Sequence, residues 1–328
     1  MGVRSHVRVG RRRSLRIAGL AGASLLVCVA GAQARSSFDA RRLDRELRTE
    51  PGVLAVLIER NDQLIFERYY RGSNAAVRLP VFSITKSVTS TLIGIALAER
   101  RLRSLDQRLA QFFPKDVRAE SDRRVRKITV RQLLMMTAGY TFTPAVLTDH
   151  WVEALIRRPL ATDPGSSFKY DDGSYHLLSA IVTSVTGVSE ERLAQRMLFG
   201  PLGIHSERWA SDHEGYSLGD SGLQLRARGV LRLGELYLRR GRWHGRQVVP
   251  AAYVRDATRR HSGLDGFGYG YGWWILDRHG PAGFAALGYD GQAVAVFPSL
   301  HAIVVIQGSG DDREKVLYRF VLPQLLRG

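Results

Sequence analysis

The sequence predicts an α/β (α+β) fold in which one antiparallel β-sheet is flanked by terminal helices and joined to an all-α lobe. Two strand-like segments occur near the start of the chain, and further strand-like segments occur in its last part. Mainly helical segments separate the two groups. Pairing the early and late strands in a single sheet, with the terminal helices covering it, is a simple way to bury their apolar faces.

The first elements are a helix, a hairpin and a second helix. Residues 38–48 have the periodicity of an amphipathic helix. Residues 53–59 and 64–70 are apolar and β-prone, and Asn61-Asp62 between them predicts a turn, so together they predict a β-hairpin. A long, mostly apolar helix is expected from Ser83 to about Glu99.

The rest of the chain is helical in its middle and returns to strands before a closing helix. Glycine and proline separate five segments with helical periodicity: 129–136, 150–158, 174–187, 189–198 and 226–239. The later strands are expected at 269–276, 283–287, 292–297 and 302–307, and the closing helix at 312–326. The expected sheet lobe therefore comprises about 35–82 and 245–328, and the helical lobe about 83–244.

Residues 1–34 have the pattern of an export signal. An arginine-rich start precedes the apolar run Ile17–Ala30, which is too short to span a bilayer comfortably, and Ala32-Gln33-Ala34 then provides a small-x-small cleavage pattern. The only cysteine, Cys28, lies in this segment, so the mature chain 35–328 would contain no disulfide and no thiolate nucleophile. We expect a periplasmic or secreted protein with no stable membrane span after cleavage.

The formal net charge of +17 raises the question of a nucleic-acid partner. Outside the first 34 residues, the basic runs Arg123–Lys127 and Arg239–Arg242 are short and scattered, and no nucleic-acid motif accompanies them. The nine histidines show no metal-ligand spacing, and the chain has no phosphate loop or dinucleotide fingerprint. We therefore expect no nucleic-acid partner, no metal and no cofactor. His176, beside Leu177-Leu178, is expected to be a packing residue.

Ser83 and Lys86 are the candidate nucleophile and base. Lysine occurs at only five positions in this arginine-rich chain, and one of them lies inside the largely apolar sequence Phe82–Val88. Unlike a guanidinium group, a buried amine can lose its proton, and residues at i and i+3 share one face of a helix. A serine at a helix N-terminus is also placed where a developing anion is stabilised. This pattern indicates an activated serine.

Two other serines, Ser166 and Ser217, are alternative candidates for the nucleophile. Ser166 begins a second S-x-x-K pattern ending at Lys169, but it follows Pro164-Gly165 and is expected to be a turn residue. Ser217 lies in a formal G-x-S-x-G match, Gly215–Gly219. A nucleophile elbow needs a buried strand before the serine and a helix directly after it, and the sequence predicts neither. Ser217 therefore stays a minor alternative to Ser83.

Seven motifs follow one another in order between about Gly52 and Ile306. They are Phe82–Ser87, Ile128–Leu133 leading to Thr137–Gly139, Pro164–Tyr170, His176–Ser179, Leu198–Ile204, Gly268–Trp274 and Gly288–Gln292. The ordered set resembles the serine β-lactamase and penicillin-binding-protein superfamily. Within it, the set is most similar to the branch of 6-aminohexanoate-dimer hydrolases and related esterases.

The resemblance implies a β-lactamase/transpeptidase-like fold and a role for each matching residue. Ser83 would be the nucleophile, Lys86 its general base, and Tyr170 the relay of the proton to the leaving group. The third motif of the family falls on Ala286-Leu287-Gly288, and the backbone amides of Ser83 and Tyr289 would form the oxyanion hole. Acylation of Ser83, loss of an alcohol or amine, and hydrolysis of the acyl-enzyme would complete the cycle.

Two positions depart from the family pattern. Asp172 stands where the family usually has Asn or Ser, and a carboxylate close to Lys86 would hold the amine protonated. Ala286 replaces the lysine with which penicillin-recognising members bind the substrate carboxylate. The second change argues against β-lactamase or D,D-peptidase activity and favours neutral esters or linear amides.

The expected substrate-binding residues are Asp172, Gly288, Tyr271 and Trp274, with Tyr140 and Trp151 as further aromatic candidates. The leading hypothesis is a serine hydrolase whose expected small-molecule partner is an ester or linear amide substrate, and the sequence does not define its oligomeric state. The alternative is a non-catalytic or weakly acylating, penicillin-binding-like sensor or binding protein, which Asp172 makes conceivable.

Overall fold

An eight-stranded antiparallel sheet is the largest element of the computed structural model, which describes residues 38–117, 122–141, 149–205, 207–277, 280–310 and 312–327. Its strand order is β2-β1-β13-β12-β11-β10-β9-β8, so strands from both ends of the chain are paired in one sheet. This confirms the predicted fold class of an antiparallel sheet with flanking helices. The expected signal segment, 1–34, lies outside the described residues.

The strands of the large sheet occur along the chain in the predicted order. The strands of the large sheet are β1 Val53–Arg60, β2 Gln63–Tyr69, β8 Ser262–Leu264, β9 Phe267–Tyr269, β10 Trp274–Leu276, β11 Gly283–Leu287, β12 Ala293–Phe297 and β13 Ala302–Gly308. The short strands are β3 Arg78–Pro80, β4 Arg208–Trp209, β5 Leu223–Arg226, β6 Arg242–Trp243 and β7 Arg246–Gln247.

The helices include several single turns. They are α1 Ala40–Arg48, α2 Thr85–Ala98, α3 Leu109–Phe112, α4 Val130–Leu134, α5 Trp151–Ile156, α6 Asp172–Thr186, α7 Glu190–Ala194, α8 Gly200–Leu202, α9 Ala227–Leu238, α10 Ala251–Ala257 and α11 Leu322–Leu325. Tight 3₁₀ turns form at Phe82–Ile84 and Arg123–Lys127, and wide π-helical turns at Gln195–Phe199 and Lys315–Val321.

The predicted hairpin forms with its turn at the expected residues. Asn61 and Asp62 both have positive φ, 50° and 60°, which is the conformation of a type I′ turn. That turn type matches the right-handed twist of the paired strands, and asparagine and aspartate tolerate it better than most residues. The turn therefore sets the register that pairs Arg60 with Gln63.

The large sheet is covered on two faces. On the outer face, alternate residues such as Val56 and Val304 pack against α1 and the C-terminal helical segment, which contribute Leu43, Leu47 and Val316. On the inner face, residues such as Leu57, Val294 and Ile303 pack against α2 and α9. The alternation of faces along each strand explains why nearly all of β12 and β13 is apolar.

The middle of the chain differs from the expected all-α lobe in two respects. The strands β3, β5 and β4 form a small three-stranded sheet, and β6 and β7 form a hairpin. Helix α9, expected in the helical lobe, instead packs on the inner face of the large sheet. Gly234 permits this because its Cα approaches Ile303 and Val294 more closely than a side chain would allow.

The strand expected at 269–276 is interrupted. Gly270, Tyr271 and Gly272 separate β9 from β10. Gly272 has a φ of 78° and lies against the backbone of Lys86, where a Cβ would come within 2.8 Å of the carbonyl oxygen. The chain thus leaves the ladder to contact α2, and only glycine fits that contact.

Among the described residues, no helix is long and apolar enough to cross a membrane.

Two glycines of α9 provide a test of the packing on the inner face. We expect Gly229→Ala to raise the free energy of unfolding by up to about 1 kcal/mol, because alanine favours the helix and its Cβ would lie 3.5 Å from the nearest atom. Gly234→Ala should lower it by about 1–2 kcal/mol, because the same Cβ would lie 2.7 Å from Ile303. Urea denaturation of both variants measures the difference, and equal effects would contradict the packing of α9.

Candidate active site

Helix α2 is the element that positions the candidate nucleophile. Its residues are buried on all sides from Thr85 to Ala96, so it runs through the centre of the molecule. Polar side chains on it are satisfied by hydrogen bonds: Thr89 donates to the carbonyl of Gly219, and Ser90 and Thr91 bond to the hydroxyls of Tyr253 and Tyr237. These bonds fix the rotation of the helix about its axis.

Ser83 and Lys86 meet at the N-terminal end of this helix. Ser83 lies in the 3₁₀ turn that precedes α2, and Lys86 lies in the first turn of α2. The Nζ of Lys86 donates to the Oγ of Ser83 across 2.9 Å. Phe82, directly before the serine, has a φ of 47°, a strained conformation for a side-chain-bearing residue. The structure therefore brings nucleophile and base into hydrogen-bond contact.

Lys86 uses its other donors on two acceptors. It donates to the backbone carbonyl of Asp220 across 2.9 Å, and it forms an ion pair with Oδ1 of Asp172 at 2.8 Å. Burial by itself would lower the pKa of Lys86, but Tyr170, Asp220 and Asp172 act in the opposite direction and hold its pKa above the usual lysine value. In the free protein the amine is therefore protonated at neutral pH.

Asp172 reaches Lys86 from the start of α6. The preceding residue, Asp171, caps this helix by accepting from the amide of Ser174, and it also pairs with the buried guanidinium of Arg158. This anchoring leaves the side chain of Asp172 57% exposed, whereas that of Lys86 is 1% exposed. Water therefore screens the carboxylate, and the ion pair can be broken from the solvent side.

Tyr170 and Trp274 form an aromatic wall beside the amine. The Nζ of Lys86 lies 5.1 Å from the centre of the Tyr170 ring. The ring of Trp274 stacks on Tyr170 with centroids 5.8 Å apart and planes 13° from parallel. Two of the predicted site residues are thus in place next to Lys86, one as a candidate proton relay and one as a candidate substrate contact.

The end of strand β11 lies beside the turn that carries Ser83. Gly288 packs so tightly on the carbonyl of Val81 that no Cβ could be accommodated. The next residue, Tyr289, is 75% exposed, and its ring contacts that of Phe82 edge to face at 5.7 Å. Gly288 and Tyr289 therefore lie next to the turn that carries Ser83, as the expected oxyanion site requires.

Tyr271, which was expected to bind substrate, is instead a core residue. Its side chain is fully buried, its hydroxyl accepts from Arg131 across 2.9 Å, and its ring stacks on His261 at 4.4 Å. The reason is local: the chain turns inward between β9 and β10 so that Gly272 can contact α2, and Tyr271 is carried into the core with it. Trp274, by contrast, stacks on Tyr170, whose ring lies 5.1 Å from the Nζ of Lys86.

The competing serines lie in structural positions. Ser166 is an exposed turn residue whose hydroxyl donates to the carbonyl of Asp163. Ser217 is buried, and its Oγ accepts from the amide of Glu191. His176 is a buried packing residue that pairs with Asp212 at 2.8 Å. Within the described residues, no group of three or more His, Cys, Asp or Glu side chains could hold a metal ion.

Two carboxyl groups behind the site were missed by sequence reasoning. Asp220 follows the Gly215–Gly219 segment and supplies the carbonyl that accepts from Lys86, and burial raises the pKa of its side chain despite the opposing charge of Lys86. Glu190, in the first turn of α7, is fully buried. Neither residue belongs to a local pattern, because only the tertiary fold brings them towards Lys86.

Glu190 lies in surroundings that fit a protonated carboxyl. The hydroxyls of Thr89 and Ser179 face it, but each donates its only proton to a carbonyl, those of Gly219 and Ser217. Among the described residues, neither carboxyl oxygen of Glu190 has a hydrogen-bond partner, so a charge on this group would be buried without compensation. Burial is the main cause that raises the pKa of Glu190 from 4.5 to about 7. The group is therefore neutral below about pH 7.

Comparison with known proteins places the chain in a family. The family model described as Beta-lactamase matches residues 40–321. The chain therefore belongs to the beta-lactamase family, a family of serine hydrolases. This match agrees with the large antiparallel sheet and its terminal helices.

Individual curated proteins are similar to this chain at lower levels of sequence identity. Penicillin-binding protein 4 of Amycolatopsis lactamdurans is 28% identical over 320 residues, covering 83% of this chain and 81% of that protein. A protein of Dichelobacter nodosus provisionally named fimbrial assembly protein FimD, serogroup H1, is 32% identical over 34% of this chain, and the match spans only 30% of its length.

Among solved structures, a similar fold is found in a Bacillus anthracis protein that carries the provisional name 6-aminohexanoate-dimer hydrolase. The TM-score is 0.74 at 22% identity, and the alignment covers 86% of this chain and 81% of that one.

The buried Glu190 predicts that stability falls as pH rises through the neutral range. Because its pKa is about 7 in the folded protein and near 4.5 in the unfolded chain, the folded state binds the extra proton between these values. The free energy of unfolding should therefore decrease by up to about 3 kcal/mol from pH 5 to pH 8 through this group. Glu190→Gln should remove that decrease, measured by urea denaturation across the range.

Glu99→Gln serves as the control, because it removes the same charge from an exposed position at the end of α2. It should leave the pH dependence of the wild type unchanged. The same slope in Glu190→Gln and wild type would contradict a proton on Glu190.

Proposed function

We propose that the protein is a serine hydrolase that cleaves small ester or linear amide bonds through an acyl-enzyme on Ser83. The observation that carries this proposal is the 2.9 Å hydrogen bond between the Nζ of Lys86 and the Oγ of Ser83 at the start of a buried helix. A buried amine that is held against a serine hydroxyl can take its proton once the amine is neutral.

The proposed reaction begins when Ser83 attacks the substrate carbonyl and passes its proton to Lys86. The oxyanion then forms against the backbone amides of Ser83 and Tyr289. Collapse of this intermediate breaks the bond to the leaving alcohol or amine, which receives the proton from Lys86 by way of Tyr170. Water attacks the acyl-enzyme by the reverse route, releasing the acid and restoring Ser83.

The substrate class follows from the groups around Ser83. Ala286 provides no cation for a substrate carboxylate, and Tyr170 and Trp274 present ring faces instead. Gly288 packs on the carbonyl of Val81 and so holds the end of β11 beside the turn that carries Ser83. These features favour an uncharged, partly apolar ester or linear amide over a penicillin.

A second candidate function rests on the ion pair between Lys86 and Asp172. A carboxylate 2.8 Å from the amine keeps the base protonated, which would slow both acylation and deacylation. A protein in that state would bind ligands or acylate only once, as a penicillin-binding-like sensor does. The 57% exposure of Asp172 favours the hydrolase, because a bound substrate can displace the carboxylate towards water.

We also propose that the protein is exported and acts in the periplasm or outside the cell. The support is the arginine-rich start, the apolar run Ile17–Ala30 and the small-x-small pattern at residues 32–34. Expression of the full chain should yield a mature protein that begins near Arg35, detected by N-terminal sequencing of the periplasmic or culture fraction. Retention of the complete N-terminus in the cytoplasm would contradict export.

The nucleophile is tested by ester turnover. We expect the mature protein to hydrolyse p-nitrophenyl butyrate and to leave a chromogenic cephalosporin intact. Ser83→Ala should lower kcat/KM by at least about 10³-fold, since loss of a nucleophile removes the covalent route.

Ser166→Ala and Ser217→Ala are the matched controls, because they change the serines of the two competing motifs. Both variants should retain turnover to the extent that they remain folded. Loss of turnover with Ser217→Ala but not with Ser83→Ala would overturn the assignment.

Asp172 is tested by the pH profile. Replacing it with asparagine removes a negative charge beside Lys86 and should lower the pKa of the amine. Because the base must be neutral, the acid limb of kcat/KM should move to lower pH, and turnover at pH 7 should rise about tenfold, the order of effect typical of removing one nearby opposite charge. An unchanged profile would show that Asp172 does not control the base.

A further inference from the structure

An open apolar groove lies on the outer face of the large sheet. It is bounded by β10 and β11 on one side and by the C-terminal helical segment on the other, and its volume is about 600 Å³. Its lining is mostly apolar, with Leu276, Ala285, Leu287, Ala293 and Leu317 among the residues, and it also includes the charged residues Arg313, Glu314, Lys315 and Arg319. A groove with such a lining gains free energy by burying apolar surface, and the reaction proposed for Ser83 makes no use of it.

The groove adjoins the candidate active site at Trp274. This side chain lines the groove and also stacks on Tyr170, whose ring lies 5.1 Å from the Nζ of Lys86. One pair of stacked rings therefore separates the groove from the base. A ligand that passes the edge of these rings can contact both.

Strand β11 provides a continuous path from the groove to the nucleophile. Its pairing with β10 ends at the pair Trp274–Ala285, so the last part of β11 lies beyond its neighbour. Leu287 in this part lines the groove, and the next residue, Gly288, packs on Val81, two positions before Ser83. An extended chain attached to Ser83 can thus follow β11 into the groove.

The two ends of the groove differ in polarity. At the end near Ser83, Arg313 donates to the carbonyl of Gly288 across 2.7 Å and places a cation beside the oxyanion site. The charge of Lys315 on the groove wall is already paired with Glu50 at 2.7 Å. At the other end of β11, Leu276 pairs with Gly283 and contributes an apolar side chain to the groove. This polarity complements a fatty acyl group whose carbonyl lies at the amides of Ser83 and Tyr289 and whose chain is directed towards Leu276.

We propose that the groove binds the unbranched apolar chain of the substrate's acyl group, so that the enzyme prefers medium-chain acyl esters or amides to short ones. The proposal rests on the proposed acyl transfer to Ser83 and specifies the substrate for it. It also assigns Leu276 and Leu317 to chain binding, although neither residue takes part in the chemistry.

Chain-length dependence tests the proposal. The ratio of kcat/KM for p-nitrophenyl octanoate to that for p-nitrophenyl butyrate should be at least about tenfold in the wild type, since each fully buried methylene contributes about fourfold. Leu276→Gln makes the groove polar and Leu276→Trp fills it, so both should reduce the ratio to about one while butyrate turnover is kept. Leu64→Gln, which changes an exposed leucine on the opposite edge strand β2, should keep the wild-type ratio.

The outcomes separate this proposal from the proposed function. Butyrate turnover with no preference for octanoate, or a preference that survives both Leu276 variants, would overturn chain binding in the groove and leave the Ser83 hydrolase intact. If no ester is turned over, calorimetry of decanoate with the Ser83→Ala protein tests separately whether the groove binds an acyl chain. Binding of decanoate that is lost when Leu276→Trp is added to Ser83→Ala would support chain binding in the groove. If decanoate does not bind to the Ser83→Ala protein, chain binding in the groove is overturned.

Discussion

The hydrogen bond from the buried amine of Lys86 to the hydroxyl of Ser83 is the interaction on which the rest of the site depends. It requires an amine instead of a guanidinium group, because an amine can lose its proton when it is buried and a guanidinium group cannot. It also requires a rigid helix, and α2 is held by bonds from Thr89, Ser90 and Thr91 to three other parts of the chain. The sheet and the helices around α2 thus hold the Nζ of Lys86 within hydrogen-bond distance of the Oγ of Ser83.

The charges around Lys86 decide whether this contact can catalyse a reaction. Burial favours the neutral amine, whereas Asp172 and Asp220 favour the charged one. Of the two carboxyl groups, only that of Asp172 is largely open to water, so it is the one that a substrate can displace. Glu190 avoids adding a third negative charge because its surroundings favour the protonated form. The charge on Lys86 therefore depends on whether Asp172 stays paired with it.

Patterns of short range could be predicted from the sequence. The i, i+3 spacing of Ser83 and Lys86 follows from helix geometry, and Asn61-Asp62 defines its turn by backbone preference alone. Contacts between distant residues could not be predicted in this way: Asp220 is 134 positions from Lys86. Tyr271 was assigned to the substrate pocket because an aromatic beside a glycine-rich strand fits either pocket or core, and only the inward turn at Gly272 decides between them.

Covalent labelling of Ser83 tests the central claim most directly. The mature protein would be treated with an alkyl fluorophosphonate, which reacts with activated serines, and the modified peptide would be identified by mass spectrometry. The account predicts one adduct per chain, on the peptide that contains Ser83, with labelling that speeds up as rising pH neutralises Lys86. An adduct on Ser217 or Ser166, or no adduct in a correctly folded protein, would contradict it.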